Sequence, residues 1–195
     1  VMTMLELEVD PGYSWKWYTD SSLMTPFTKS EVTEDTILYS GKATLKDLVV
    51  SFDANGGTNI TFSSKTIIYN GIYGDLPSTT RVGYTFAGWY TDLSGGMKIE
   101  PVDTVDNPNS HTLFAHWEAN NYNVTFNANG GTLSKASQAV VFDSVYGELP
   151  TPDKIGYNFN GWYTDSVEGT KIEPITKVEI ANNHVLYAHW SPVTY

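Results

Sequence analysis

Apolar and polar positions alternate along several short stretches of this chain. Tyr122, Val124 and Phe126 interleave with Asn123, Thr125 and Asn127, the period-two pattern of a strand with one buried face. Leu48-Val49-Val50-Ser51-Phe52 reads as the matching strand earlier in the chain. Residues 66–69 and 138–142 read as the returning partners, so that each pair forms an antiparallel hairpin. Ala54-Asn55-Gly56-Gly57 and Asn129-Gly130-Gly131 supply residues that accept the left-handed backbone of a tight turn. Residues 1–9 also alternate from Thr3 on, with Leu5, Leu7 and Val9 on one face. A last strand is expected over 185–190, where Leu186, Ala188 and Trp190 face one way and Tyr187 and His189 the other.

Two segments need a separate reading. The prolines of Leu149-Pro150-Thr151-Pro152 rule out a central strand, but a proline suits the first turn of a helix. A short helical turn is therefore expected over 151–155, stopped by Gly156. In 157–163, Tyr157 and Phe159 share a parity that Trp162 breaks. A bulge at Gly161 restores Trp162 to the inner face, and Gly88 is expected to do the same for Trp89.

These elements recur. Gly83-Tyr84-Thr85-Phe86-Ala87-Gly88-Trp89-Tyr90-Thr91-Asp92 returns 73 residues later as Gly156-Tyr157-Asn158-Phe159-Asn160-Gly161-Trp162-Tyr163-Thr164-Asp165. The flanks follow: Tyr73-Gly74-Asp75-Leu76-Pro77 against Tyr146-Gly147-Glu148-Leu149-Pro150, and Leu113-Phe114-Ala115-His116-Trp117 against Leu186-Tyr187-Ala188-His189-Trp190. Upstream, the match between Phe52 and Phe126 has an offset of 74, so one residue is inserted in a length-tolerant loop or bulge of the earlier copy. Tyr13 to Asp20 aligns with Tyr84 to Asp92 if Gly88 is dropped, and the hairpin half is missing from that copy. The expected organisation is a partial or degenerate repeat over 1–47, then complete repeats over 48–119 and 120–195. Glu118-Ala119-Asn120 is too short a link for the complete repeats to be freely tethered.

Composition narrows the function. With 41% hydrophobic residues the chain can build cores, but units of this size sit near the lower limit for a single core. No cysteine is present to add a disulfide, so the aromatics, 14% of residues, must hold each unit together. The net charge of −11 is spread over all three segments as a soluble, mutually repelling surface. No basic stripe exists to displace counterions from a nucleic acid, and no apolar run approaches the roughly 20 residues of a membrane span.

The ordered motifs Asn-Ala-Asn-Gly-Gly-Thr at 127–132, Tyr-Gly-x-Leu-Pro at 146–150, Gly-Tyr-x-Phe-x-Gly-Trp-Tyr-Thr-Asp at 156–165 and Leu-Tyr-Ala-His-Trp at 186–190 recur in the earlier complete copy, with Asp53 in place of Asn127 and Phe114 in place of Tyr187. They resemble the Listeria–Bacteroides repeat, also called the internalin B-repeat type. The resemblance implies an α+β, mostly β fold: tandem small β-grasp-like units, each a few strands with a short helix, on the surface of bacteria. It also implies a stalk or adhesin role with no catalytic residues.

Ordinary packing accounts for most of the residues that could carry chemistry. His111 and His116, like His184 and His189, are five residues apart on one expected strand, so each pair faces opposite ways and cannot chelate one ion. Asp92 with Glu100 and Asp165 with Glu173 are recurring acid pairs, but a unit this small offers little cleft for hydrolysis. No nucleophile elbow, phosphate loop or calcium loop is present. Lys98 and Lys171 are the candidates for an intramolecular Lys-Asn cross-link, which would need them buried beside an Asn and an acid. Most of the 6 Trp and 13 Tyr sit at core parities; Tyr90 and Tyr163, next to inward tryptophans, face outward as the candidate contact residues.

The resulting expectation is a non-catalytic bacterial cell-surface segment, acting as stalk or spacer and protein-binding adhesion module. It has no cofactor and no metal, and its partner is a host or neighbouring surface protein. Nucleic-acid binding and membrane insertion of this segment are not expected. It works outside the cell as a mainly monomeric elongated array, its signal and anchor lying outside these residues. The alternative is a carbohydrate-binding or accessory module of a secreted enzyme.

Overall fold

The computed structural model describes residues 11–14, 16–19, 21–24, 26–27, 39–41 and 43–194. The strand expected over 1–9 lies outside them. Four two-residue strands come first: β1 Tyr13–Ser14, β2 Trp17–Tyr18, β3 Tyr39–Ser40 and β4 Thr44–Leu45, with β1 antiparallel to β4 and β2 antiparallel to β3.

Two five-stranded sheets follow. The first comprises β5 Asp47–Asp53, β6 Ser64–Ile68, β7 Tyr84–Tyr90, β8 Lys98–Ile99 and β9 His111–Ala119, in spatial order β6-β5-β9-β7-β8. The second repeats it with β10 Asn121–Asn127, β11 Ser137–Val141, β12 Tyr157–Tyr163, β13 Lys171–Ile172 and β14 His184–Pro192, in order β11-β10-β14-β12-β13. Both hairpins are antiparallel, Leu48 opposite Ile67 and Tyr122 opposite Val140. In each sheet one inner pair runs parallel, β5 with β9, where Phe52 lies opposite Leu113, and β10 with β14, where Phe126 lies opposite Leu186.

Burial follows the alternation. In β10, Val124 and Phe126 are buried while Asn123, Thr125 and Asn127 are exposed, and Leu186 and Ala188 of β14 are fully buried beside them. Trp162, Tyr146, Val140, Ile172 and Val178 complete this core. The Gly161 bulge is present: the pairing of β12 with β14 shifts register between Phe159 and Gly161, and Gly161 has φ 132°. Trp162 is thereby returned to the inner face at 1% exposure, as is Trp89 after Gly88, which has the same φ.

The fold class requires a correction. The described residues contain no helix, so the fold is all-β and lacks the short helix of the α+β, β-grasp-like expectation. Leu149 and Thr151 each precede a proline, which pushes them out of the helical region. The backbone of Asp153 is instead paired with Thr132, Thr132 N donating to Asp153 O at 2.7 Å and Asp153 N to Thr132 O at 3.0 Å. Thr58 and Thr80 make the same bridge in the first sheet. The Asn-Gly-Gly turn therefore leads into this bridge before the chain returns as β11.

By compactness the chain divides into two units. The first comprises 1–55, 59–79 and 88–116; the second comprises 56–58, 80–87 and 117–195. The second unit thus contains the whole second repeat together with the ends of β7 and β9.

Candidate functional site

The side chains with most chemical potential recur in each complete repeat and are held by the fold. The indole of Trp162 donates to the carbonyl of Pro150 at 2.7 Å, and that of Trp89 to Pro77 at 2.9 Å. Tyr146 Oη lies 2.8 Å from His184 Nε2, and Tyr73 Oη lies 2.8 Å from His111 Nε2. Each histidine is fixed from its other nitrogen, Nδ1 being 2.9 Å from the carbonyl of Asn182 or Asn109. Burial pushes the pKa of both tyrosines up, so both hydroxyls stay protonated.

Tyr163 and Tyr90 are half-buried. Tyr163 stacks on His189 with ring centroids 3.9 Å apart and planes 8° from parallel; Tyr90 stacks on His116 at 3.9 Å and 7°. The histidines in turn bond the carbonyls of Asp165 and Asp92, at 2.8 Å each. One ring face of each candidate contact residue is therefore covered. The members of each histidine pair do different work on opposite faces, and among the described residues no group of three or more His, Cys, Asp or Glu side chains is placed to hold a metal ion.

The acid pairs are taken up locally. Asp165 Oδ1 accepts from the amides of Val167 and Glu168, at 3.0 and 3.3 Å, and these bonds hold its carboxyl below the usual range. Glu173 pairs with Lys171 at 3.5 Å, and Glu100 with Lys98 at 3.0 Å. Both lysine side chains are 47% exposed, so neither has the burial that a Lys-Asn cross-link needs. A shallow groove of about 250 Å³ runs between the Leu149-Pro150-Thr151 segment and β13, with Trp162 lining it and Lys171 and Glu173 among its polar residues.

A second cluster, within the second unit, was not anticipated from the sequence. The Tyr84 ring meets Phe142 edge-on at 5.5 Å, and a methyl group added to Gly83 would run into the same Phe142 ring. Tyr84 Oη donates to Asp143 Oδ2 at 2.7 Å, and Lys177 Nζ lies 2.5 Å from Asp143 Oδ1. These bonds, that from Lys177 foremost, hold the Asp143 carboxyl below its ordinary value, while Asp143 raises the pKa of Tyr84 and Lys177. The signal was the Gly-Tyr pair, which occurs at 12–13, 83–84 and 156–157.

Two like sheets whose reactive side chains serve their own packing define a tandem all-β repeat protein. The Listeria–Bacteroides repeat domain matches residues 49–116 and again 122–189, and the chain belongs to this family. A protein of Evansella cellulosilytica described as a membrane protein is 33% identical over 189 residues, 94% of this chain and 27% of its own length. Internalin H of Listeria monocytogenes is 31% identical over 156 residues, 80% of this chain and 28% of its own length. A Gly-rich membrane protein of Evansella cellulosilytica is 35% identical over 149 residues, 72% of this chain and 17% of its own length. The chain thus spans between 17% and 28% of the length of these curated relatives.

Proposed function

We propose that this chain is a non-catalytic repeat segment of a bacterial cell-surface protein, serving as a spacer and as a protein-binding module in adhesion. The observation that supports this most is the duplicated bond set. Tryptophan, tyrosine and histidine groups that could bind or catalyse are used in the same structural bonds in both repeats. The family and the relatives, an internalin and two membrane proteins, support location at the cell surface. Protein contacts are proposed along the outer strands β6 and β11, which can accept an added strand, and at Tyr90 and Tyr163.

The test is display on a Gram-positive bacterium, with the chain placed between a cell-wall anchor and a terminal epitope. Antibody access to the epitope is expected to fall when residues 122–189 are removed. Unchanged access would overturn the spacer reading. Saturable oligosaccharide binding, abolished by Tyr163→Ala, would put a carbohydrate-binding module in its place.

A further inference from the structure

The Gly-Tyr pair is used the same way in each of the two units, and its third occurrence stands exposed. Within the second unit, Asn120 N donates to Gly83 O at 2.9 Å, Phe142 N donates to Asn120 O at 2.9 Å, and the Phe142 ring covers Gly83 and meets Tyr84 edge-on. Within the first unit, Lys46 N donates to Gly12 O at 3.0 Å and Tyr69 N donates to Lys46 O at 2.9 Å. The Tyr69 ring covers Gly12 and meets Tyr13 edge-on at 6.4 Å. Tyr69 and Phe142 occupy the same place in their repeats, and each precedes a residue of positive φ, Asn70 at 61° and Asp143 at 68°. The joint is thus one device used twice: a Gly-Tyr edge, a bridging residue, and an incoming aromatic at the turn after an outer strand.

The first two steps of that device are built again at Gly156. Val193 N donates to Gly156 O at 3.0 Å, which puts Val193 where Asn120 and Lys46 stand in the other two. Lys154 lies over the Tyr157 ring at 4.5 Å, as Arg81 lies over Tyr84 at 4.0 Å. The incoming aromatic is what differs. Gly12 and Gly83 are buried, Gly156 is exposed, and no described residue lies within 4 Å of where its Cβ would stand. Tyr157 is 42% exposed, whereas Tyr13 and Tyr84 are half-buried.

We infer that the Gly156-Tyr157-Val193 edge is a docking site for one further repeat unit of this same type. That unit enters with an aromatic residue at the Phe142 place, its amide bonding Val193 O and its ring lying on Gly156 against Tyr157. An Asp or Asn follows the aromatic in the left-handed conformation. This goes beyond the spacer reading, since the edge selects by register and ring packing whether or not the array projects anything. The ionic part of the joint is separable, because Asn70 and Thr104 stand in the first repeat where Asp143 and Lys177 stand in the second.

The test extends the chain by fusing residues 121–195 directly after Val193, which puts the added turn in the register of the existing joint. Amide hydrogen exchange and calorimetry are then read on the original and extended chains, each with and without Tyr157→Ala. The added counterpart of the Phe142 amide is expected to be protected to within about tenfold of Phe142 itself. Tyr157→Ala is expected to lower the melting of the added repeat about as much as Tyr84→Ala lowers that of the second, and to leave the original chain nearly unchanged. Exchange of the added amide at the rate of an exposed loop, or an equal effect of Tyr157→Ala in both chains, would overturn the proposal.

Discussion

At the scale of single residues, the indoles and the Tyr-His pairs decide how firmly each sheet holds. Trp162 is 1% exposed and its Nε1 is bonded to Pro150 O. Trp162→Ala removes a large buried ring and leaves that carbonyl without its donor, so a loss of about 3 to 5 kcal/mol is expected by calorimetry, confined to the transition of the second repeat. Tyr146→Phe keeps the ring and removes only the bond to His184. A loss of about 1 kcal/mol is expected, and Tyr73→Phe should match it in the first repeat. The Trp162 environment was legible from sequence because parity demanded a bulge at a glycine. The Tyr-His pair was not, since its members lie 38 residues apart and nothing local couples them. Its only trace was recurrence at that same spacing in both repeats.

At the scale of elements, the hairpins were readable and the segment after them was not. Alternation in β10 and the Asn-Gly-Gly signal lead to an antiparallel pair whether or not the rest of the sheet is known. Asn129 at φ 48° and Gly130 at φ 89° confirm the left-handed turn. Gly130→Val should therefore cost about 1 to 3 kcal/mol, seen as a lower melting temperature of the second repeat; Lys154 Nζ, the nearest group, can move aside. The prolines at 150 and 152 permitted a helical turn by local rules, but the competing partner of Asp153 is Thr132, over twenty residues away. The parallel pairing of β10 with β14 was equally hidden, because burial on one face looks the same for either direction. Tyr163 and His189 are half-buried and stacked on each other, which depends on the register between β12 and β14.

At the scale of the whole chain, the Gly-Tyr joint within each unit adds its own bonds to those of the cores. The joint at Asp143 adds a dependence on pH. Its carboxyl is held below the ordinary 3.8 by Lys177 and Tyr84, so its contribution is complete above that value and is lost as pH falls through the lower, folded-state value. Lys177 is raised above its ordinary 10.5, so its share is complete below that value and is lost as pH rises past it. Asp143→Asn is expected to remove the joint's share of the acid-side dependence, that of Asp165 remaining, while leaving the Phe142 ring on Gly83, which amide exchange at Phe142 checks. The family was legible in the sequence because its motifs recur in fixed order. The joint was less so, because its incoming ring is Tyr69 in one repeat and Phe142 in the other. The most direct test of the account is to pull the chain by its ends and record the length released at each unfolding event. Two repeats that unfold one at a time should give two equal steps, each somewhat under the about 240 Å contour of the residues matched in each repeat at about 3.5 Å apiece, because the folded repeat already spans part of it. A single step releasing both together, or steps that match neither repeat, would contradict it.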